Sequence, residues 1–319
     1  MAQPTGTYVT FSAVGLREDL ENVIYDISPT DTPFMSMGGR ESAVAVNHEW
    51  QTDALAAAAD NFAEEGSTLT AAEPTATTRL SNICQISLKT TLVSGTLDAV
   101  SKAGRKEELA YQMSKRAKEL KRDMERSYVG VNVSKTPMAA DTTVRKLGSL
   151  SSWVTTNASI GSGGTAVGSG GNGAARTDGT ARTFTETLMK ASILAAFNNG
   201  ADIKYLMMAP SQKQTFSSFV GVGASGGSSN RIDAGDQRII GGMDVYVSDF
   251  GEMAVVPNRF QRSRDVWMLD PEYYAIAYLR PFFQREVAST SDGDQRAIIC
   301  EHTLVVKNEK ALGAVYDLS

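Results

Sequence analysis

One long amphipathic helix constrains this chain more than any other feature of its sequence. Between Val100 and Gly130, apolar residues recur three or four positions apart, at Leu109, Met113, Ala117, Leu120, Met124 and Tyr128. That spacing places them on one narrow face of an α-helix, and most of the residues around them are charged. About 28 helical residues would form a rod of roughly 42 Å, which is long for a globular protein. We therefore predict a spine helix along one side of its domain.

The same helix carries an excess of basic side chains. Residues 101–127 hold nine lysines and arginines against five acids, whereas the 319-residue chain has a net charge of −5. Lys115 with Glu119, and Lys121 with Glu125, have the spacing of stabilising helical ion pairs. Two interpretations stay open: a solvated helix face, or a weak contact with nucleic-acid phosphates that acts through counterion release. The residues available for such a contact are Lys115, Arg116, Lys118, Lys121, Arg122 and Arg126.

The chain begins with an arm-like segment. Apolar residues over Leu16–Ile27 predict about three turns of helix, and the stretch DISPTDTPFMSMGGR (Asp26–Arg40) follows with two prolines that break regular structure. Phe34, Met35 and Met37 within it are apolar, yet no folded domain precedes them to bury them. We therefore expect these three side chains to be buried between subunits.

A long acidic insert separates the first two strand-like segments. SAVAVNHEWQTDA (Ser42–Ala54) and RLSNICQISLKTTLVSGT (Arg79–Thr96) flank Leu55–Thr78, which is rich in small, polar and acidic residues. Loops of this length are unusual inside a compact domain and tend to be functional. We predict a hairpin that projects from the body, with its acidic tip against a basic or amide-rich surface. The candidate interface residues are Asp53, Asp60, Phe62, Glu64 and Glu65.

The second half of the chain alternates glycine-rich loops with short elements. Gly161–Thr183 is predicted to be a flexible loop. A helix, a strand and a second helix are predicted over residues 183–220, followed by two strands around a Phe-Gly turn. The remaining segments are predicted to be strands or to lie next to them: RDVWMLD, YYAIAYL, PFFQREVAST, QRAIICEHTLVVKN and KALGAVYDL.

No motif in the sequence indicates catalysis. His48 and His302 are the two histidines, and neither has a partner at a metal-ligand or catalytic-triad spacing, so both are predicted to be structural. Gly168–Gly173 and Gly221–Gly226 match G-x-G-x-x-G, but a dinucleotide site needs a strand before the motif and a helix after it. We therefore predict no catalytic, cofactor-binding or metal-binding residue.

The N-terminal residues, the length of the apolar runs and the number of cysteines argue against a secreted, disulfide-rich or membrane-spanning protein. The N-terminal residues MAQPTGTYVTFSAVGL are too polar for a signal peptide, and no apolar run approaches the ~20 residues that span a bilayer. The two cysteines, Cys84 and Cys300, are predicted to be small core residues. We expect synthesis in a reducing compartment and no membrane partner.

The order of these parts resembles the major capsid protein of tailed double-stranded DNA bacteriophages, whose fold is shared with encapsulins and the herpesvirus capsid floor. The closest local likenesses are NVIYDISPTDTPFMSMGG (Asn22–Gly39), DPEYYAIAYLRPF (Asp270–Phe282) and AIICEHTLVVKNEKALGAVYDL (Ala297–Leu318). The resemblance implies an α+β fold with an N-terminal arm, an extended E-loop hairpin, a P-domain with a long spine helix, an A-domain with glycine-rich loops, and a C-terminal β region that completes both domains. In this chain these parts would occupy residues 1–45, 46–96, 97–140, 141–258 and 259–319.

The resemblance also implies a function. Hexamers and pentamers of one chain would tile an icosahedral head around phage double-stranded DNA, with the arm embracing adjacent subunits and the E-loop lying over a neighbour. Some relatives crosslink through a lysine and an asparagine, but Leu55–Thr78 contains no lysine, so we expect a non-covalent shell. The implied partners are copies of the chain and packaged DNA bound non-specifically, with portal, scaffolding and decoration proteins as further candidates. The implied location is the virion capsid, after synthesis in the host cytoplasm.

Two other hypotheses stay open on the sequence. An encapsulin-type compartment would share the fold and copurify with cargo protein instead of DNA. A soluble α/β enzyme, with Gly161–Thr183 as a lid, would be monomeric and bind a saturable ligand.

Overall fold

A computed structural model describes residues 28–56, 58–68, 74–102, 106–140, 143–166, 172–219, 244–289 and 292–319. The predicted helix Leu16–Ile27 and the motif Gly221–Gly226 lie outside these ranges, as does most of Gly168–Gly173. The helices are α1 (Pro33–Met37), α2 (Gly95–Ala99), α3 (Glu108–Val129), α4 (Glu186–Asn198) and α5 (Pro210–Phe216). The strands are β1 (Gly39–Ser42), β2 (Asn47–Thr52), β3 (Thr78–Ile83), β4 (Gln85–Ser94), β5 (Ala158–Ser159), β6 (Tyr205–Met208), β7 (Val245–Ser248), β8 (Gly251–Pro257), β9 (Val266–Leu269), β10 (Tyr274–Val287), β11 (Gly293–Val306) and β12 (Gly313–Val315).

The spine helix packs on a four-stranded sheet. Its strand order is β1-β10-β11-β4, in which β1 is parallel to β10 and the other pairs are antiparallel. Helix α3 packs against one face of this sheet through the predicted apolar stripe, which is therefore confirmed. Its buried members are Met113, Leu120, Met124 and Tyr128, and the half-buried Leu109 and Ala117 pack against the same core.

The spine helix is shorter than the sequence predicted. It begins at Glu108 instead of near Val100, and its 22 residues give a length of roughly 33 Å. The backbone of Glu107 is extended, and the separate helix α2 comes before it, where the Ser94 hydroxyl accepts a hydrogen bond from the Leu97 N–H. The apolar stripe begins at Leu109, so no member of the stripe lies closer to Val100 that could extend the helix in that direction.

Two predicted strands are one strand in the structure. YYAIAYL and PFFQREVAST both belong to β10, which runs through Pro281. The register against β11 shifts between Tyr278 and Arg280 and again between Arg280 and Phe283. These bulges allow the ladder to skip the proline, which has no N–H to donate.

Conversely, one predicted strand-like segment is two strands in two different sheets. β3 pairs with β2 in an antiparallel hairpin, while β4 pairs with β11, and the chain changes sheet at the buried Cys84. The predicted hairpin is confirmed, with its long loop between Thr52 and Thr78.

A six-stranded sheet forms the second layer, with the order β5-β12-β9-β6-β8-β7. Helix α4, strand β6 and helix α5 confirm the predicted helix–strand–helix unit. The Thr185 hydroxyl accepts the Leu188 N–H at the start of α4, and Gly200, just beyond its end, has φ +85°. The core of this layer includes Met189, Leu206 and Phe216.

Within the predicted glycine-rich loop Gly161–Thr183, Gly161 and Gly179 are close-packed, whereas a Cβ atom on Gly163 would have no neighbour within 4 Å. A Cβ atom on Gly161 would lie 2.5 Å from the Thr180 carbonyl oxygen, and one on Gly179 would lie 2.7 Å from the Gly161 carbonyl oxygen. Glycines serve here as residues without a side chain, because two stretches of backbone pass very close to each other.

Candidate assembly surfaces

The arm segment packs against its own subunit through Phe34. Its side chain is fully buried, and its ring stacks on Tyr274 with centroids 4.5 Å apart. Met35 belongs to the same core, and the half-buried Met37 packs at its edge. We expected a neighbouring subunit to bury these side chains. That expectation is corrected for Phe34 and Met35, because α1 and β1 join the subunit's own core and sheet.

A buried carboxylate holds the arm in this position. Glu125 of α3 accepts hydrogen bonds from the Phe34 N–H (2.8 Å), the Met35 N–H (3.0 Å) and the Asn258 side-chain amide (2.7 Å). Burial raises the pKa of Glu125, and the three donors oppose that effect. From the sequence, Glu125 is expected to be a surface acid paired with Lys121. Its place on the stripe side of the helix, one residue after Met124, was the available signal that it is buried.

The acidic loop of the hairpin is exposed wherever it is described. Phe62 is 91% exposed and Leu55 is 99% exposed, so neither contributes to the core of its own subunit. Such large exposed apolar side chains on a projecting loop are typical of a contact with another molecule. The other predicted interface residues, all exposed, are Asp53, Asp60, Glu64 and Glu65.

The outer face of α3 is more basic than its sequence suggested. Glu119 pairs with Arg116 at 2.7 Å instead of with Lys115, and Glu125 is buried and unavailable to Lys121. The half-buried Arg122 places its guanidinium 5.3 Å from the centre of the Phe260 ring. Within the described residues, no acid pairs with the exposed basic residues Lys115, Lys118, Lys121 and Arg126.

The histidine at the centre of the fold is structural, as predicted. His302 is fully buried, with Nδ1 2.6 Å from the Tyr128 hydroxyl and Nε2 2.9 Å from the Ser87 hydroxyl. Burial lowers the pKa of His302 to about 3, so the ring is neutral at physiological pH. The other histidine, His48, lies on the hairpin strand β2. Among the described residues, no group of three or more histidine, cysteine or acidic side chains could hold a metal ion.

A buried ionic cluster includes Asp317, close to the C-terminus, and was not predicted from the sequence. Arg176 lies 3.1 Å from Asp317 and 3.2 Å from Asp265, and all three side chains are buried. Asp317 also accepts the N–H groups of Gly161 and Gly179. Burial raises the pKa of Asp265 to about 6, against the opposing effect of Arg262 and Arg176. Arg176 and Asp317 are 141 positions apart, so their spacing in the sequence could not indicate that they form an ion pair.

The described residues therefore present exposed surfaces suited to contact with other molecules, and comparison with known proteins identifies the family of the chain. Residues 3–319 match the family model described as SU10 major capsid protein. The chain belongs to the SU10 major capsid protein family. Membership makes it a structural protein of a viral capsid, and not an enzyme or an encapsulin-type compartment.

The chain is similar in sequence to a phage capsid protein and similar in fold to solved capsid structures. The major capsid protein of Escherichia phage Phieco32 is 42% identical over 127 residues, which cover 40% of this chain and 36% of that protein. The cyanophage A-1(L) capsid structure has a TM-score of 0.65 at 13% identity and covers 97% of this chain and 98% of that one. The capsid of a native GTA particle has a TM-score of 0.64 at 10% identity, with the same coverage. These structures confirm the predicted α+β capsid fold.

The described helices include none that is both long and apolar enough to cross a membrane.

Proposed function

We propose that this capsid protein assembles with copies of itself, as hexamers and pentamers, into an icosahedral head that encloses phage double-stranded DNA. The observation that carries the proposal is the projecting hairpin, whose loop exposes Phe62 and Leu55 almost completely in a single chain. Family membership identifies the kind of particle in which such a loop would be buried. Each contact can be weak, because a subunit held at several edges gains from multivalency.

Deleting Leu55–Thr78 tests this proposal. The described loop residues are exposed, so the deletion should leave soluble subunits with an unchanged circular dichroism spectrum and thermal midpoint. Those subunits should fail to form shells under conditions where the full chain forms them, as seen by electron microscopy. Normal particles from the deletion variant would contradict the assembly role of the loop.

Packaged DNA is the second partner that we propose. Support comes from the unpaired lysines and Arg126 on the outer face of α3, which could contact phosphates without reading bases. If the helix contacts packaged DNA, it lies at the inner surface of the shell. Portal, scaffolding and decoration proteins are further proposed partners, and we propose synthesis in the host cytoplasm before incorporation into the virion. The loop holds no lysine, so the proposed shell is non-covalent.

A further inference from the structure

The hairpin β2–β3 projects from the subunit and forms a two-stranded sheet of its own. Among the described strands, β2 and β3 pair with each other and with no third strand. A sheet ladder therefore does not set the direction in which the hairpin leaves the rest of the subunit. That direction depends on the side chains at the base of the hairpin.

Two apolar side chains hold the base of the hairpin against the subunit. Trp50 and Leu80 lie directly opposite each other in the ladder, and both pack against the main core. The centre of the Trp50 ring lies 5.3 Å from that of Trp153, which is fully buried. Apolar contacts have no strong directional preference, so this pair keeps the hairpin attached without fixing its angle.

Asn82, two residues after Leu80 on β3, supplies directional contacts. Its side chain is fully buried, and its Nδ2 donates to the carbonyl oxygens of Leu304 (2.7 Å) and Gly148 (3.3 Å). Its Oδ1 accepts the N–H groups of Gly148 (2.8 Å) and Ile83 (2.9 Å). One amide thus bonds both polar backbone groups of Gly148 and also reaches β11 at Leu304. Because hydrogen bonds require alignment as well as a short distance, these bonds fix the rotation of β3.

Lys135 adds a second polar contact beside Asn82. Its Nζ donates to the Ser81 carbonyl oxygen (2.7 Å) and to the Ser81 hydroxyl (3.3 Å). Its backbone N–H donates to the Gly173 carbonyl oxygen, and a Cβ atom on Gly148 would lie 3.2 Å from the same oxygen. The backbone groups that support Asn82 and Lys135 therefore belong to one closely packed region of the subunit.

Beyond this base, the hairpin and the rest of the subunit are separated by a cleft of about 290 Å³. Thr52 and Thr78 line it from the hairpin, and Asn308 and Lys310 line it from the opposite side. A strand rises about 3.3 Å per residue, so Thr78 lies roughly 13 Å from Asn82 along β3. A rotation of about 10° at Asn82 would therefore move Thr78 by roughly 2 Å, and the loop beyond it by more.

We propose that Asn82 is a positioning residue for assembly, with Lys135 as its second support. Asn82 fixes the direction of the hairpin, so each subunit presents its loop in one place before it meets another subunit. A loop that is already in place has less conformational freedom to lose when it binds. This inference rests on the proposed function, because it concerns how a loop already proposed to mediate assembly is held.

Distance measurements on unassembled subunits test the proposal. Nitroxide labels at Thr78→Cys and Ser114→Cys, both exposed positions, report the place of the hairpin relative to α3 by double electron–electron resonance. The natural Cys84 and Cys300 should stay unlabelled, because both are fully buried and burial raises their thiol pKa values to about 11 and about 12. We expect one narrow distance distribution, and Asn82→Ala should broaden it at least twofold.

Asn157→Ala is the matched control. Asn157 is also a buried amide, and its Nδ2 donates to the carbonyl oxygens of Lys310 (2.6 Å) and Leu312 (2.9 Å), away from the hairpin strands. Both substitutions should lower the thermal midpoint of the subunit, because each leaves buried polar groups without partners. Only Asn82→Ala should broaden the distance distribution. An unchanged distribution in Asn82→Ala, or equal broadening in Asn157→Ala, would overturn the proposal.

Assembly of unlabelled chains at equal concentrations of folded subunit tests the consequence. Asn82→Ala should lower the yield of particles about tenfold, whereas Asn157→Ala should stay within about threefold of the unmodified chain. Equal yields from the two variants would overturn the role of Asn82 in assembly. If deletion of Leu55–Thr78 prevents assembly while the two variants behave alike, the inference fails and the proposed function stands. If the deletion variant forms normal particles, the proposed function itself fails.

Lys135→Met decides the question if Asn82→Ala is too unstable to purify. This substitution removes the bonds to Ser81, keeps an apolar side chain beside Trp153 and leaves the buried amide in place. It should broaden the distance distribution measurably and lower the yield of particles about threefold. A distribution and a yield equal to those of the unmodified chain would then overturn the proposal.

Discussion

At the scale of single residues, Glu125 joins more segments than its position on a charged helix suggested. Its carboxylate connects the arm at Phe34 and Met35 to Asn258, which follows β8. A buried acceptor that satisfies three donors is costly to remove, because each donor is then left without a partner in the core. The position of the arm therefore depends on one side chain of the spine helix.

Glu125→Ala should lower the free energy of unfolding of the subunit by about 3 kcal/mol. Glu125→Gln keeps one acceptor oxygen but turns an amide N–H₂ toward a backbone N–H, and we expect a smaller loss. Denaturant unfolding of the unassembled subunit measures both. Glu119→Ala is the matched control, since Glu119 forms a partly exposed ion pair with Arg116 and should cost less than about 1 kcal/mol. Equal losses from Glu119→Ala and Glu125→Ala would contradict the role of Glu125.

His302 makes the stability of the subunit depend on pH. Its pKa in the folded state is about 3, against an ordinary value of 6.5, so the folded chain resists protonation and the unfolded chain does not. The contribution of His302 is complete above pH 6.5 and is lost as the pH falls toward 3. At pH 5 the loss should be about 2 kcal/mol.

This expectation is measured as the difference in unfolding free energy between pH 7 and pH 5. Replacing His302 with Gln should remove about 2 kcal/mol of that difference, whatever other groups contribute. His48→Gln, a substitution on the projecting hairpin, should leave the difference unchanged. An identical pH dependence in His302→Gln and the unmodified chain would show that burial of His302 is not the cause.

At the scale of elements, the spine helix has two faces with separate tasks. Its apolar stripe and Glu125 hold the sheet and the arm, whereas Lys115, Lys118 and Lys121 point away from both. Changes on the outer face should therefore affect a bound partner and leave the fold intact.

Neutralising Lys115, Arg116, Lys118 and Arg122 together should destabilise filled particles and leave empty ones unchanged. We expect the melting temperature of filled particles to fall and the loss to shrink as salt rises, because phosphate contacts depend on counterion release. Thermal melts of filled and empty particles at two salt concentrations measure this. Neutralising Lys190 of α4 and Lys204, which precedes β6, provides a control with partly exposed lysines far from α3 in the sequence. An equal effect on filled and empty particles would exclude the DNA contact.

At the scale of the whole molecule, the described residues form three buried apolar clusters. The largest joins residues of both the four-stranded and the six-stranded sheet, and Phe34 and Met35 of the arm belong to it. The described residues of the hairpin loop lie outside all three clusters and are exposed. Large apolar side chains such as Leu55 and Phe62 therefore stay available for contact with another molecule.

The sequence alone determined the features that depend on local periodicity. The stripe from Leu109 to Tyr128 predicted which face of α3 is buried, and the length and composition of Leu55–Thr78 predicted a projecting loop. Both features depend on residues that are close together in the sequence. A repeat of three to four residues indicates a helix with one buried face, and a long polar stretch without any repeat indicates a loop. The order of elements was sufficient for the resemblance to phage capsid proteins, and the family match confirmed it.

Only the tertiary structure decided which distant segments pack together and pair their polar groups. Phe34 and Met35 have a partner in their own subunit because Tyr274 and Glu125, some 240 and 90 residues away, converge on them. Arg176 is buried because Asp265 and Asp317 meet it there. Leu88, Ile299 and Phe283 share one face of their sheet only because of the register of three strands. A sequence pattern describes only which residues are neighbours along the chain. These contacts join residues that are distant in the sequence, and they form because packing the surfaces together lowers the free energy of the folded chain.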